Sequence, residues 1–133
     1  MERALRLLGP LEARIMRELW SGEIESTFVV WDVHARMPEL AYTTVMTTVV
    51  RLGEKGLLRA ERVPGRRAVS YELAGSPEDF LDRGSRERVD ELVRLYGDAA
   101  FAAFSDRLDR LAMEPRRRLS LLTDRERARP RSR

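Results

Sequence analysis

A mostly α-helical chain with one small β-hairpin is what the sequence predicts, and three observations carry that expectation. Apolar residues recur at spacings of three and four through several stretches, the period of a helix face. Ala68 to Leu73 alternates instead, with Val69, Tyr71 and Leu73 on one side and Ser70 and Glu72 on the other, the period of a strand. Pro64-Gly65-Arg66-Arg67 just before it reads as a turn, so Arg59 to Val63 and Ala68 to Leu73 form a hairpin with a basic tip.

In chain order, residues 1–8 read as an arm carrying Arg3, Arg6, Leu5, Leu7 and Leu8. Gly9-Pro10 opens a helix, with Pro at the first helical position where its missing N–H costs nothing. Leu11, Ile15, Met16, Leu19 and Trp20 make its buried stripe, and it ends near Ser21-Gly22. Ile24 to Val29 reads as a short extended piece. Val30, Val33, His34 and Met37 mark a brief second helix closed by Pro38, because the residue before proline avoids the α region.

The stretch from Ala41 to Leu58 organises the rest. Seven of the eight residues from Thr43 to Val50 are β-branched, which favours a strand. Tyr42, Val45, Val49, Leu52 and Gly56 nevertheless fall on one helical stripe. The spacing predicts a helix from Tyr42 to Lys55, ended by Gly56 near C′; it is weak alone and must be held by packing. Thr43, Thr47, Val50, Arg51 and Glu54 then lie opposite the buried face and Thr44 beside them, with Met46 and Thr48 on the flanks. Helix, short helix, turn and helix followed by a hairpin is the order of a winged helix-turn-helix.

Hydroxyls, methyls and one Arg suit the floor of a DNA major groove. Hydroxyls bond to base edges or phosphates, threonine methyls pack on the thymine methyl, and Arg takes guanine. The plainer reading is a solvated face of a core helix. Tyr42 has two readings: a core ring, or a hydroxyl on a phosphate at the helix N-terminus. Arg66 and Arg67 either are solvated or contact the DNA backbone or minor groove. Lys55 is read as a charge complementing the helix end.

Ala74-Gly75 is the expected boundary, dividing a DNA-binding domain at 1–75 from a helical dimerisation region at 76–122. Ser76-Pro77-Glu78-Asp79 is a helix start, with Ser as N-cap and an S-x-x-D box. That helix carries Phe80, Leu81, Val89, Leu92, Val93 and Tyr96. Gly97-Asp98 separates it from a second, and Glu114-Pro115 starts a third with Leu119, Leu121 and Leu122. Helices this few and short do not close a core alone, so a symmetric copy is expected to complete it. Phe101, Phe104, Leu108, Leu111, Leu119 and Leu122 are the expected seam, and packing on the N-terminal domain is the alternative. Residues 123–133, with Arg at every second position from 125, read as a disordered tail.

The chain has 133 residues, 43% apolar and 35% charged, with a net charge of +3. Its basic residues are 24 Arg and one Lys. Arg reads phosphates and bases well, but a GC-rich genome gives the same bias, and most of it is assigned to that. Zero cysteines exclude disulfides, zinc ribbons and thiol nucleophiles. One histidine, His34, makes a His-based metal site or a Ser–His triad improbable, and it reads as structural. No cofactor, metal site or catalytic set can be assembled, so an enzyme is not expected. Lacking an apolar span or a leader pattern, the chain is expected to be cytoplasmic.

Leu11-x-x-x-Ile-Met-x-x-Leu-Trp20, Ala41-Tyr-Thr-Thr-Val-Met-Thr47, Arg51-Leu-x-x-Lys-Gly-Leu-Leu58 and the hairpin ending in Ser70-Tyr71 resemble the penicillinase-repressor (BlaI/MecI) family. The Ala-Tyr-Thr-Thr-Val-Met-Thr string is the specific part. The resemblance implies a homodimeric repressor reading an inverted-repeat operator in double-stranded DNA, in a β-lactam or cell-stress response. It also implies dimerisation through C-terminal helices and, in some members, inactivation by a membrane-bound sensor protease. Three departures stand out. The Asn-Phe bond cut in β-lactam-responsive members is absent: the chain has no Asn, and the phenylalanines there follow Ala100 and Ala103. Zero Cys excludes the copper-responsive branch, and the Arg-rich extension is not part of the pattern.

Without Asn or Gln, amide reading of adenine is also absent. Tyr42, Thr43, Thr44, Met46, Thr47, Arg51, Arg66 and Arg67 are therefore the expected DNA contacts, with DNA shape adding the rest. Two other classes compete with a DNA-binding repressor. A winged-helix module used only for protein contact is distinguished by salt-insensitive binding, and a ligand-relieved repressor ranks lower because no polar cluster marks a pocket.

Overall fold

The computed structural model describes residues 1–62, 64–65 and 67–128, with side chains to Met113. It forms two compact units, Met1–Ser85 and Arg86–Arg133. The elements are α1 (Glu2–Leu5), α2 (Pro10–Trp20), α3 (Val30–Arg36), α4 (Tyr42–Glu54), β1 (Leu58–Glu61), β2 (Ser70–Leu73), α5 (Pro77–Tyr96) and α6 (Asp98–Ala128).

In the first unit the stripes read from sequence converge on one core. Ile15 and Met16 of α2, Val33 and Met37 of and after α3, and Val45, Val49 and Leu52 of α4 are wholly buried. This packing is what holds α4 helical against its β-branched composition: tertiary burial outweighs a propensity deficit of some tenths of a kcal/mol per residue. Gly56 ends α4 with φ +78°, a left-handed conformation that favours glycine. β1 and β2 pair antiparallel, Leu58 opposite Leu73 and Arg59 opposite Glu72. Phe28 exchanges both backbone hydrogen bonds with Tyr71, at 2.9 and 2.7 Å, so the extended piece before α3 adds one more rung to the wing.

The N-terminal arm is corrected to a single helical turn. Ala4 and Leu5 are buried, and Glu2 pairs with Arg17 of α2. The hairpin strands are shorter than expected, Leu58–Glu61 and Ser70–Leu73, and Gly65 between them has φ +85°. The first compact unit also runs ten residues past Gly75, to Ser85. Ser76 caps α5 as expected: its hydroxyl accepts from the Asp79 amide at 3.1 Å while the Asp79 carboxylate accepts from the Ser76 amide at 2.9 Å. Hydrogen bonding of its carboxylate to Ser76, first to the amide and then to the side chain, holds the Asp79 carboxyl below the usual carboxylate range. Phe80 then packs towards Trp20, with ring centroids 6.4 Å apart, and the Trp20 indole N–H donates to the Gly75 carbonyl at 3.1 Å. About one turn further on, Arg83 donates to the Gly56 carbonyl at 2.9 Å.

In the second unit α5 ends at Tyr96, and Gly97 (φ +58°) reverses the chain into α6. The break expected at Glu114-Pro115 is absent: α6 continues through Pro115 and on to Ala128, inside the segment read as a tail. A mid-helix proline removes one i→i−4 bond and costs about 3 kcal/mol. The Ala, Leu, Met and Arg residues around it are strong helix formers, and the orphaned Leu111 carbonyl belongs to a half-exposed residue that water can reach.

Candidate nucleic-acid interface

The outer face of α4 gathers four of the expected contacts. Thr43, Thr44, Thr47 and Arg51, with Thr48, border one shallow concavity of about 260 Å3. The first turn of α4 contains no acid and no side-chain cap. Met46 stands beside this face, 40% exposed.

The hydroxyls on this face are already partly committed. Thr47 Oγ1 donates to the Thr43 carbonyl at 2.8 Å, and Thr48 Oγ1 to the Thr44 carbonyl at 2.9 Å. Such back-bonding is the usual alternative to solvation for a mid-helix threonine. It uses the hydroxyl proton and leaves the oxygen lone pairs free. Thr48, placed on the flank from sequence, is buried.

Tyr42 is the first residue of α4. Its ring is half-buried against the core cluster and stacks on Trp31, centroids 4.2 Å apart and planes 30° apart. His34 meets both rings edge-on, at 5.8 Å from each. His34 Nε2 lies 2.8 Å from the Leu40 carbonyl, so in the Nε2–H tautomer it donates across the turn that joins α3 to α4. His34 is thus structural, as expected. Trp31 was missed by sequence reasoning; the available signal was its i,i+3 relation to His34.

α4 is positioned from behind by Glu12 of α2. Its Oε1 accepts from Lys55 Nζ at 2.8 Å and from the Gly9 amide at 3.0 Å. Lys55 therefore does more than complement the helix end. Burial pushes the Glu12 carboxyl up, but the Lys55 and Gly9 bonds and the charges of Lys55 and Arg51 outweigh it, and its pKa lies below the usual carboxylate range. Its other oxygen, Oε2, is buried without a hydrogen-bond partner among the described residues. Arg14–Glu39 and Arg36–Glu18 (2.9 Å) are further pairs at the α2 surface.

Arg67 is exposed in the wing loop, whereas Arg66 lies outside the described residues. In the second unit, Leu92, Tyr96, Phe104, Leu108 and Leu111 line an apolar groove of about 590 Å3. Leu108 is 61% and Leu111 50% exposed. Phe101, 60% exposed, is not among the groove-lining residues. The side chains of Leu119 and Leu122 lie outside those described.

A helix-turn-helix completed by a hairpin, with a half-exposed threonine face on its second helix, defines a winged helix-turn-helix protein. The chain belongs to the penicillinase repressor family, whose model matches residues 8–124. It is accordingly a DNA-binding transcriptional repressor and not an enzyme. No curated protein matches the sequence. Among solved structures it is similar to MarR, at 23% identity over 85% of this chain and 82% of that one, with a TM-score of 0.46. It is also similar to NMB1585, a MarR family regulator from Neisseria meningitidis, at 17% identity over 86% and 81%, TM-score 0.44. A third is NadR in complex with 4-hydroxyphenylacetate, at 20% identity over 84% and 80%, TM-score 0.45. Among the described residues no helix is long and apolar enough to cross a membrane.

Proposed function

We propose that the protein acts as a homodimer on an inverted-repeat DNA operator, with α4 of each copy in the major groove of a half-site. The observation that carries this reading is the gathering of Thr43, Thr44, Thr47 and Arg51 around one exposed, acid-free concavity. With its proton held by the Thr43 carbonyl, the Thr47 hydroxyl acts as an acceptor, suited to the amino groups of cytosine and adenine. Its methyl packs on thymine, and Arg51 takes guanine or a phosphate. Met46 adds apolar contact, Tyr42 presents its hydroxyl to a phosphate, and Arg66 and Arg67 carry the wing to the backbone.

The open apolar groove of the second unit supports pairing with a second copy, since monomers seldom leave such a surface to water. Leu92 and Tyr96 join Phe104, Leu108 and Leu111 in that seam. Repression takes place in the cytoplasm, in a β-lactam or cell-stress response. The missing Asn-Phe bond argues against release by the familiar cleavage of a sensor protease.

Selection from a randomised duplex library with the purified protein, near physiological salt, tests this. Enrichment of an inverted repeat with half-sites about one helical turn apart is the expected result. No enrichment, together with no salt-sensitive binding, would refute it and move the threonine face into a protein interface. Thr47→Val keeps the methyls and removes the acceptor; unchanged affinity and sequence preference would sink the hydroxyl part.

A further inference from the structure

The surface beside α4 carries an aromatic feature that the reading above does not use. Trp31 sits in the first turn of α3, 60% exposed, yet it is not free to move: it stacks on Tyr42, the first residue of α4, and meets the edge of His34. The neighbouring carboxylates are engaged elsewhere. Asp32 accepts from the Val29 amide at 2.8 Å and Glu39 pairs with Arg14, so they do not set a bare negative charge beside the indole.

We propose that Trp31 is a second DNA contact, lying on the sugar–phosphate backbone that borders the groove entered by α4. In helix-turn-helix docking the first helix crosses the backbone while the N-terminal residues of the second reach the bases. The Trp31–Tyr42 stack joins those two places. The indole N–H donates to a phosphate oxygen, its only polar capacity, and its face covers a deoxyribose. Because the stack is formed before binding, little rotamer freedom is lost in the complex. The same stack holds the Tyr42 ring and so fixes the direction of its hydroxyl.

This inference rests on the reading of α4 as the groove helix, and the test separates the two. Full-length wild type, Trp31→Ala, Trp31→Phe and Arg51→Ala are titrated with the library-selected duplex and with a random-sequence duplex at low salt. Trp31 is exposed, so both substitutions are expected to fold. Trp31→Ala should weaken binding about tenfold and Trp31→Phe about threefold, the size of one lost hydrogen bond. Both losses should be equal on the two duplexes. The contact is uncharged, so the salt dependence of binding should not change. In Trp20→Phe, where Trp31 is the one tryptophan left, saturating duplex should protect its emission from acrylamide.

Trp31→Ala binding within about twofold of wild type, with Trp31 emission unprotected, would overturn the proposal. If Arg51→Ala weakens binding in that experiment, Trp31 alone is wrong. If it does not, the α4 reading falls as well. A loss confined to the selected sequence would overturn the backbone assignment.

Discussion

Two glycines three residues apart in and after α4 should respond to alanine with opposite sign. Gly56 has φ +78°, where an L side chain costs about 1–2 kcal/mol. An added Cβ would also meet Arg83 Nη2 at 2.9 Å and Cζ at 3.1 Å. The guanidinium is the flexible partner and would yield, losing its bonds to the Gly56 carbonyl at 2.9 Å and the Lys55 carbonyl at 3.4 Å. That pair is solvent-exposed, so its loss adds no more than about 1 kcal/mol. Gly56→Ala should therefore cost about 1–3 kcal/mol, a fall in Tm on the order of 10 °C for a unit of this size.

Gly53 lies inside the helix, and its added Cβ meets nothing nearer than the Leu58 carbonyl oxygen at 3.9 Å, an ordinary contact. Gly53→Ala should stabilise by about 0.5–1 kcal/mol. Urea unfolding followed by far-ultraviolet circular dichroism measures both. Repeating Gly56→Ala in an Arg83→Ala background isolates the guanidinium: the cost should shrink by the Arg83 share. A Gly56→Ala protein as stable as wild type, or equal losses at both glycines, would refute the reasoning.

Two further outcomes follow from the charges around α4. The Glu12 carboxyl lies below its ordinary range in the folded protein, so the stability it supplies is complete above the unfolded glutamate pKa of about 4.3 and is lost as pH falls through the folded value. The stability difference between wild type and Glu12→Gln, followed by urea midpoint against pH, should accordingly narrow in acid; a difference constant with pH would contradict this. Arg51→Ala should flatten the dependence of log K on log salt by about one unit if the guanidinium meets a phosphate. An unchanged slope with altered sequence preference would place it on guanine instead.

The core helices were legible because burial demands a period, and the period survives even where propensity opposes it. Val45, Val49 and Leu52 marked α4 through a run of threonines and valines. Gly56 and the Ser76–Asp79 box were legible because each solves a local backbone problem with few alternative residues. What escaped lies in contacts between stretches distant in sequence. Phe80 and Arg83 look like ordinary residues of an α5 pattern, and only the fold places them at Trp20 and at the end of α4. Trp31 and Tyr42 are eleven positions apart and meet through the turn that His34 helps to close. Pro115 misled in the other direction, because a proline rule states a cost and not a prohibition. The back-bonded hydroxyl of Thr47 was open to inference from its place inside a helix, yet the choice between donor and acceptor became definite only with the carbonyl geometry.

The fastening of the first turns of α5 has a practical bearing on how the protein can be divided. A fragment ended at the composition boundary, Gly75, would strip Phe80 from the Trp20 ring and Arg83 from the Gly56 and Lys55 carbonyls. It would leave an indole newly wetted and the two carbonyls just past the end of α4 short of a donor. A fragment carried to Ser85 keeps all of these. The smallest fragment that keeps the first compact unit whole is therefore 1–85, and a protease that nicked the chain beyond Ser85 should release that fragment folded.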